Sequence, residues 1–309
     1  MATNPVQPRS PLISPQIAGV LALALTVFVW AGFFLSLRAG ARAALPVGEI
    51  AAFRFLPATV CFLPVLWRHW RKILAVPWPL LLVMVCGAGM PYFLVAGTGM
   101  RLASVADGST LVPGTLPVFV SLLAFIFLGQ KITSTRRNGL LFISGGVLLM
   151  LLFSLNHAAE SLWHGYALFL FGSLLWAGFT LALRRSGLEA LEGAAVVTYG
   201  SLPLLILDLV LSPEPLQIHH LPFNVMALQV LLEGIGVGLV STTSYAYAVA
   251  RLGADRAAIA GSLTPVVATL LAMPLLGEVP PTSSMLGMAL IIGGVMLSNR
   301  RINAGSCPV

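Results

Sequence analysis

The sequence predicts an all-α integral membrane protein whose ten transmembrane helices form two inverted repeats of five helices each. Three observations support this fold class: an apolar composition, a biased distribution of Lys and Arg, and an internal repeat. Of the 309 residues, 58% are hydrophobic and only 9% are charged, whereas about 25% are charged in a typical soluble domain. The net charge of +7 does not indicate nucleic-acid binding, because the basic residues are dispersed between apolar runs.

Ten apolar runs are long enough to cross a bilayer as helices. About 20 residues suffice, since a helix rises about 1.5 Å per residue and the hydrocarbon core is about 30 Å thick. Residues 1–16 are polar and Pro-rich and are predicted to be a disordered cytoplasmic segment, and residues 301–309 to be a cytoplasmic tail. The ten runs are 17–37, 47–67, 79–100, 104–128, 139–155, 161–183, 193–211, 225–249, 254–276 and 283–299.

The distribution of Lys and Arg predicts the orientation of these runs. Basic residues are retained on the cytoplasmic side of a membrane protein. If the N-terminus is cytoplasmic, 13 of the 17 Lys and Arg residues fall on the cytoplasmic side and three on the other side, and Arg54 falls within a helix. The sequence therefore predicts ten helices with both termini in the cytoplasm.

An internal repeat divides the chain into residues 17–155 and 156–300. The tetrapeptide "WAGF" at 30–33 recurs at 176–179, a shift of 146 residues, and from the fourth run onward the shift becomes 148. Because each half holds five helices, an odd number, the second half enters the membrane upside down. The segment "QKITSTRR" at 130–137 is therefore cytoplasmic, and its twin "EVPPTSSM" at 278–285 lies outside and has lost every basic residue. Inverted repeats are typical of transporters that bind substrate where the halves meet.

Several motifs resemble those of a known family. They are the two "WAGF" segments, "AAFRFLP" at 51–57, the "PV…LLG" elements that end at Gln130 and Glu278, and the paired "GGV" segments. In these the chain resembles the EamA branch of the drug/metabolite transporter superfamily over nearly its whole length. The resemblance implies a ten-helix fold and transport of small metabolites, often export of amino acids. Gln130 departs from the acidic residue usual at that position, which weakens a symmetric gating role for it.

Two charged residues fall within predicted helices and are the first candidates for a binding site. Arg54 lies about seven residues into the second run, and Glu233 about eight residues into the eighth. Both runs start from the outer side, so the two groups lie at similar depth and are predicted to face one cavity, where they pair or share a zwitterionic substrate. A charge in the bilayer is costly and commonly functional. The alternative for Arg54 is that it binds backbone carbonyls and braces two helices.

Aromatic and hydroxyl side chains extend the predicted site. Helical spacing places Ser244 and, less closely, Tyr247 on the face of Glu233. Trp30 and Trp176 occupy equivalent positions in the two halves. The alternative is that these rings form interfacial belts and that the small residues allow close helix packing. The predicted substrate-binding residues are Trp30, Arg54, Tyr92, Trp176, Tyr199, Glu233, Ser244 and Tyr247.

Prolines within the runs predict kinks. Pro117 and Pro265 are twins in the repeat and are predicted to be paired kinks with a gating role, static shaping being the alternative.

These observations predict a secondary transporter of the bacterial inner membrane. It exports amino acids or related metabolites by alternating access, with proton coupling through Glu233 as an option. A uniporter or importer of metabolites and a flippase of lipids or other amphipathic molecules are the alternatives. The intramembrane polar residues are too dispersed for an enzyme, and no metal site, cofactor or nucleic-acid partner is predicted. The expected partners are the substrate, protons and the lipid bilayer, and the oligomeric state is a monomer or a homodimer.

Overall fold

The computed structural model describes residues 14–156, 161–212 and 216–299, and within these ranges the regular secondary structure is entirely helical. A π-helical segment, Val230–Val240, joins α9 to α10, and a short 3-10 helix spans Ile218–His220. The α-helices are α1 (Pro15–Arg42), α2 (Val47–Leu74), α3 (Trp78–Ala88), α4 (Met90–Leu102), α5 (Val105–Leu128), α6 (Ser134–Asn156), α7 (Leu162–Ser186), α8 (Ala190–Leu211), α9 (Phe223–Gln229), α10 (Ser241–Leu252), α11 (Ala254–Gly261), α12 (Thr264–Leu276) and α13 (Thr282–Ser298).

Eight helical stretches in the described residues are long and apolar enough to cross a membrane, and α12 and α13 are apolar but shorter. The chain is therefore an all-helical, multi-pass membrane protein. The N-terminal boundary differs from the prediction, because α1 begins at Pro15, where Ser14 caps it by accepting a hydrogen bond from the Ile17 amide. Residues 1–13 and the predicted tail 301–309 lie outside the described residues.

Two of the predicted helices are interrupted rather than continuous. The third run breaks at Gly89, between α3 and α4, and the ninth breaks between α11 and α12. Pro91 and Pro265 lie in the first turns of α4 and α12, where the missing amide of proline costs no helical hydrogen bond. Pro117 lies inside the continuous helix α5. The twin prolines therefore occupy different backbone settings, and a matched pair of kinks is not what the fold shows.

The break at Gly89 is stabilised by the opposite half of the chain. The Met90 amide has no helical partner at the break and donates to the Ser201 hydroxyl of α8 at 2.9 Å. A Cβ atom at Gly89 would lie 2.3 Å from that same hydroxyl oxygen. Only glycine lets α8 approach closely enough to bind the exposed amide.

The helices pack in pairs that are related by exchanging the two halves. Helix α1 packs on α10 as its twin α7 packs on α3 and α4, and α12 packs on α1 as α5 packs on α7. Three pairs, α2 with α8, α5 with α12 and α6 with α13, join twin helices to each other. This pairing is the pattern expected of two repeats related by a twofold axis.

The α6–α13 contact shows that the twin helices run antiparallel. A Cβ atom at Gly294 would lie 2.7 Å from the Gly139 carbonyl oxygen, and one at Gly146 would lie 2.9 Å from the Gly287 carbonyl oxygen. With the shift of 148 residues, Gly139 is the twin of Gly287 and Gly146 the twin of Gly294. The two contacts are therefore the same contact seen from either half, and the helices of the pair run in opposite directions.

The helix ends lie at two opposite ends of the bundle. At one, here called the terminal end, the first turns of α1 meet the last turn of α10, where Gly19 faces Leu252. At the other, here called the far end, Arg42 of α1 donates to the Leu276 carbonyl at the end of α12. The described chain begins and ends at the terminal end.

Candidate functional site

Arg54 and Glu233 meet inside the bundle, where α2 of the first half packs against the π-helical segment of the second. Arg54 Nη1 lies 3.7 Å from Glu233 Oε2. The Glu233 side chain is completely enclosed and that of Arg54 is 17% exposed. The two residues therefore form a buried ion pair that joins the halves, at a separation longer than a hydrogen bond.

Three phenylalanine rings surround the guanidinium group. The Arg54 Cζ atom lies 5.6 Å from the centre of the Phe33 ring, 5.7 Å from that of Phe55 and 5.9 Å from that of Phe93. A cation over aromatic faces gains about 0.5–2 kcal/mol per contact, with the larger values in desolvated sites. The rings offset part of the cost of burying the charge, and they form an apolar wall around it.

Several buried polar atoms near this pair lack hydrogen-bond partners among the described residues. They include Arg54 Nη1, both carboxylate oxygens of Glu233 and the Tyr92 hydroxyl. Tyr92 packs edge-on against Trp176 with the ring centres 5.1 Å apart. Each unsatisfied buried group costs about 1–3 kcal/mol. A ligand that supplied the missing partners would recover this free energy.

The backbone on both sides of the pair departs from α-helical geometry. Tyr92 follows the break at Gly89, and Glu233 lies within Val230–Val240. With either shift, 146 or 148 residues, Gly89 corresponds to a position within Val230–Val240 (Ile235 or Val237), so the two irregular stretches are equivalent in the repeat. Interrupted helices and π-helical turns are frequent at functional sites, and in transporters they lie at the substrate site.

The π-helical segment explains why part of the predicted face does not form. The prediction assumed 3.6 residues per turn from Glu233 onward, but the wider turn rotates every later side chain. Ser244 contacts the Thr26 hydroxyl of α1 at 2.8 Å. Tyr247 is 40% exposed and lies under Arg251, whose Cζ is 5.2 Å from the ring centre. Tyr247 thus lies apart from Glu233.

The remaining predicted aromatic residues occupy two other places. Tyr199 donates to the Thr59 carbonyl at 2.8 Å and links α8 to α2. Trp30 packs against Tyr245, with ring centres 5.2 Å apart, at the wall of a separate cavity. The structure therefore groups Arg54, Tyr92, Trp176 and Glu233, and separates Trp30, Tyr199, Ser244 and Tyr247 from them.

The cavity beside Trp30 has a volume of about 240 Å³ and lies toward the terminal end. Pro117 of α5 and Pro265 of α12 both line it, so the twin prolines face one space although only one begins a helix. Arg136 and Asn299, from the terminal ends of α6 and α13, lie at its rim. A gating role for the prolines stays a prediction.

The far end is closed by a cluster of charged groups around Glu278. Its Oε1 atom accepts from Arg38 Nε at 2.6 Å and from Arg42 Nη2 at 2.7 Å, and its Oε2 atom accepts from the Val105 amide at 3.0 Å. Arg38 also donates to the Met100 carbonyl at 2.6 Å. Glu278 therefore ties the ends of α1, α4 and α12 to the start of α5, a role beyond the ending of a helix.

We expect Glu278→Gln to loosen this closure. Loss of the charge weakens the contacts to Arg38, Arg42 and the Val105 amide, and a hydrogen bond to a charged group contributes about 1.5–3 kcal/mol. Hydrogen–deuterium exchange at the first turn of α5 should accelerate by about tenfold or more. Glu189→Gln, in an exposed capping box at the start of α8, is the control that should leave α5 unchanged. Unaltered exchange in Glu278→Gln would contradict the assigned role.

Sequence reasoning missed the phenylalanines around Arg54 and the partners of Glu278. Phe55 is adjacent to Arg54 in sequence, but Phe33 and Phe93 come from α1 and α4, so only the packing of helices reveals the wall. The repeat did single out Glu278, because its twin in the first half, Gln130, is uncharged. This difference indicates a role for the Glu278 charge that the first half lacks. Its partners Arg38 and Arg42 could be inferred only from the predicted topology, which places all three residues at the far end.

Asp107 caps the start of α5 and also binds two neighbouring helices. It caps α5 through the Ser104 amide and hydroxyl, and it also accepts from the Tyr166 hydroxyl at 2.9 Å and the Ser284 hydroxyl at 2.6 Å. Arg101 instead donates to the Leu45 carbonyl at 2.8 Å. Asp107 therefore serves as a helix cap, and the Arg101 contact is made elsewhere. The twin residue, Asp255, has a side chain outside the described part of the structure.

Comparison with known proteins relates the chain to membrane transporters. It is 32% identical over 293 residues to a protein of Streptantibioticus cattleyicolor named as a probable terminal-alkyne amino-acid exporter, an alignment that covers 91% of this chain and 93% of the relative. It is 24% identical to an uncharacterized transporter of Archaeoglobus fulgidus, over 91% of this chain and 97% of that one. A crystal structure with 20% identity and a TM-score of 0.60 covers 92% of this chain and 97% of its own, and supports the fold alone.

The family is identified by two matches along the chain. The sequence model of the EamA-like transporter family matches residues 17–152 and again residues 163–300. The two matches coincide with the two halves that the helix pairing relates by a twofold axis. The chain therefore belongs to the EamA-like transporter family.

Proposed function

We propose that the protein is a secondary transporter that exports amino acids or related zwitterionic metabolites by alternating access. In this proposal the helical stretches cross the bacterial inner membrane ten times, with α11 and α12 together making the ninth crossing, and both termini are cytoplasmic. The observation that carries the proposal is the buried, loosely held ion pair of Arg54 and Glu233 between the two halves. The positive charge of the terminal end supports the orientation.

The pair has the chemistry that a zwitterion needs. The guanidinium group of Arg54 can bind a carboxylate through two parallel hydrogen bonds, and the Glu233 carboxylate can accept from an ammonium group. At 3.7 Å the two charges attract without a direct hydrogen bond, so an inserted substrate replaces a weak contact by stronger ones. Tyr92 holds a further unsatisfied hydroxyl for the same ligand.

The arrangement of openings supports alternating access. The Glu278 cluster closes the far end, whereas the 240 Å³ cavity lies toward the terminal end. We infer that the described conformation is the one in which the outer side is shut. Export requires the opposite state, in which the far end opens and the cavity collapses. Because the halves are related by a twofold axis, each half can adopt the conformation that the other now has. That exchange would open the far end and close the terminal end.

The named relative supports the substrate class and the direction. The Streptantibioticus cattleyicolor protein is named as a probable terminal-alkyne amino-acid exporter. An α-amino acid carries the carboxylate and the ammonium group that the buried pair would bind. We therefore extend export of an amino acid to this chain as a proposal.

The experiment that tests the proposal is uptake of a labelled amino-acid panel by proteoliposomes that contain the purified protein. We expect saturable uptake of a subset of the panel. Matched compounds that lack the carboxylate or the amine should not compete, because each leaves one charge of the pair without a partner. Absence of uptake across the panel by folded protein would overturn the proposed substrate class.

Glu233→Gln tests proton coupling in the same assay. We expect this variant to bind substrate more weakly but still to exchange it, because the amide oxygen of Gln can accept from the ammonium group. It should lose its response to an imposed pH gradient, because an amide cannot carry the proton. Asp208→Asn is the control, since Asp208 is a half-buried carboxylate of α8 that lies outside the Arg54 cluster. A response to the gradient that persists in Glu233→Gln would reject Glu233 as the proton carrier.

A further inference from the structure

The twofold relation of the halves exposes a difference in charge between the two ends. At the far end, Glu278 forms ion pairs with both Arg38 and Arg42 and so offsets part of their charge. At the terminal end the equivalent residues are Gln130, the twin of Glu278, and Arg184, the twin of Arg38. The acid that closes the far end is therefore missing at the terminal end.

The terminal end consequently carries two arginines that repel each other. Arg136 experiences the positive charge of Arg184, and its Nε atom donates to the Ser121 hydroxyl at 2.9 Å. Among the ion pairs of the described residues, none includes Arg136 or Arg184. An anion at this point would be attracted by both charges, and the attraction would be strongest where the protein excludes water.

The cavity of about 240 Å³ lies directly inside this charged rim. Its walls are mainly apolar and include Trp30, Pro117, Tyr245 and Pro265, and Arg136 forms part of the rim. An apolar interior with one charged group at its edge suits a small amphipathic ligand. Such a ligand would place its hydrocarbon part on the Trp30 and Tyr245 rings and its charged group toward Arg136.

Phe33 stands between this cavity and the buried pair. It follows Trp30 by three residues, which places it one turn nearer the far end on the same helix. Its ring contacts the Arg54 guanidinium at 5.6 Å and is 5% exposed. The cavity wall at Trp30 and the pair beside Phe33 thus follow one another along α1, one helical turn apart.

We propose that the cavity is an entry site, here called the terminal vestibule, for carboxylates with an apolar body. Arg136 and Arg184 attract the carboxylate, and Trp30 and Tyr245 hold the hydrocarbon part until Phe33 moves. This inference deepens the proposed function and rests on it for the direction of passage. Binding in the terminal vestibule does not depend on transport, and can be measured without it.

The test uses the full chain in detergent and the fluorescence of Trp30. Hexanoate and hexan-1-ol are titrated separately, and Trp30→Phe identifies the part of the signal that belongs to the vestibule. We expect Arg136→Gln to weaken hexanoate binding by about two- to fivefold, the range for a partly exposed charge pair, and to leave hexan-1-ol binding unchanged. The hexanoate effect should shrink in 1 M salt, where the Debye length is about 3 Å.

Arg137→Gln is the matched control. Arg137 is the exposed neighbour of Arg136 and does not line the cavity. Equal effects of the two variants on hexanoate binding, or equal effects of Arg136→Gln on hexanoate and hexan-1-ol, would overturn the terminal vestibule.

Gln130→Glu tests the comparison of the two ends. The substitution restores the acid that the second half has in Glu278, and it should weaken hexanoate binding by neutralising Arg184, whereas Gln130→Asn should not. Hexanoate binding that Gln130→Glu leaves unchanged would contradict the role of Arg184.

Arg136-dependent hexanoate binding together with no amino-acid uptake would retain the vestibule and reject the proposed substrate class. Amino-acid uptake without Arg136-dependent hexanoate binding would retain the proposed substrate class and reject the terminal vestibule.

Discussion

We expect Arg54→Gln to lower the rate of amino-acid uptake by proteoliposomes by about 10- to 100-fold. The variant removes the only cation at the buried pair within the described residues, and with it the fork of donors for the substrate carboxylate. A hydrogen bond to a charged group contributes about 1.5–3 kcal/mol, and each 1.4 kcal/mol corresponds to tenfold. The measurement is kcat/KM for the best substrate of the panel.

Stability must be separated from transport in this experiment. Arg54→Gln leaves the enclosed carboxylate of Glu233 without its counter-charge, a loss that costs about 3–5 kcal/mol for a buried pair. The double variant Arg54→Gln/Glu233→Gln removes both charges. We expect it to unfold at a temperature near that of the wild type while still failing to transport.

Arg101→Gln is the control for the bracing alternative. Arg101 is an exposed arginine that donates to the Leu45 carbonyl at the far end, the kind of contact that the alternative assigns to Arg54. It should lower stability modestly and leave kcat/KM close to that of the wild type. If Arg54→Gln behaved like Arg101→Gln, with lower stability and full transport, Arg54 would be a brace and the proposed site would be wrong.

The parts of the fold that follow from composition and repetition could be predicted from the sequence. Long apolar runs predict helices because a bilayer leaves the backbone no other way to satisfy its polar groups. The repeat relates Gly146 to Gly294, and their cross-contacts follow once the halves are inverted. The proximity of Arg54 and Glu233 was also predictable. Both runs start from the same side of the membrane, so the two charges lie at similar depth, and a buried charge requires a partner.

Features that depend on local backbone geometry could not be predicted in this way. The π-helical segment contains no proline, and nothing in "VLLEGIGVGLV" distinguishes it from an apolar α-helix. Its wider turn carries Tyr247 away from the face of Glu233. The break at Gly89 depends on the Ser201 hydroxyl of another helix, which a local pattern does not include. Tyr92 and Trp176 do pack against each other, with ring centres 5.1 Å apart, and the predicted binding site stays a prediction.

The contact between α6 and α13 should be a point at which a single added methyl group destabilises the fold. We expect Gly294→Ala to lower the free energy of unfolding by about 1–3 kcal/mol, the usual cost of overpacking. The added Cβ would lie 2.7 Å from the Gly139 carbonyl oxygen and 2.8 Å from the Ile143 amide nitrogen. Backbone atoms cannot rotate away as a side chain would, so the helices must separate.

The neighbouring residue supplies the matched control. A Cβ atom at Gly293 meets nothing within 4 Å, so Gly293→Ala adds the same methyl group without a clash. Alanine is about 1 kcal/mol better than glycine inside a helix, so this variant should be as stable as the wild type or more so. The thermal unfolding midpoint in detergent measures the difference, which should be several degrees, since 1 kcal/mol shifts it by about 2–4 °C in a chain of 150–250 residues.

The same pair of substitutions can be made in the first half, because Gly145 and Gly146 are the twins of Gly293 and Gly294. Gly146→Ala should destabilise, since its Cβ would lie 2.9 Å from the Gly287 carbonyl oxygen, and Gly145→Ala should not. Matching results from both halves would mean that one close contact, made twice across the twofold axis, holds the repeats together. Equal stability of Gly293→Ala and Gly294→Ala would show that α6 and α13 do not approach this closely, and the twofold packing of the two helices would have to be abandoned.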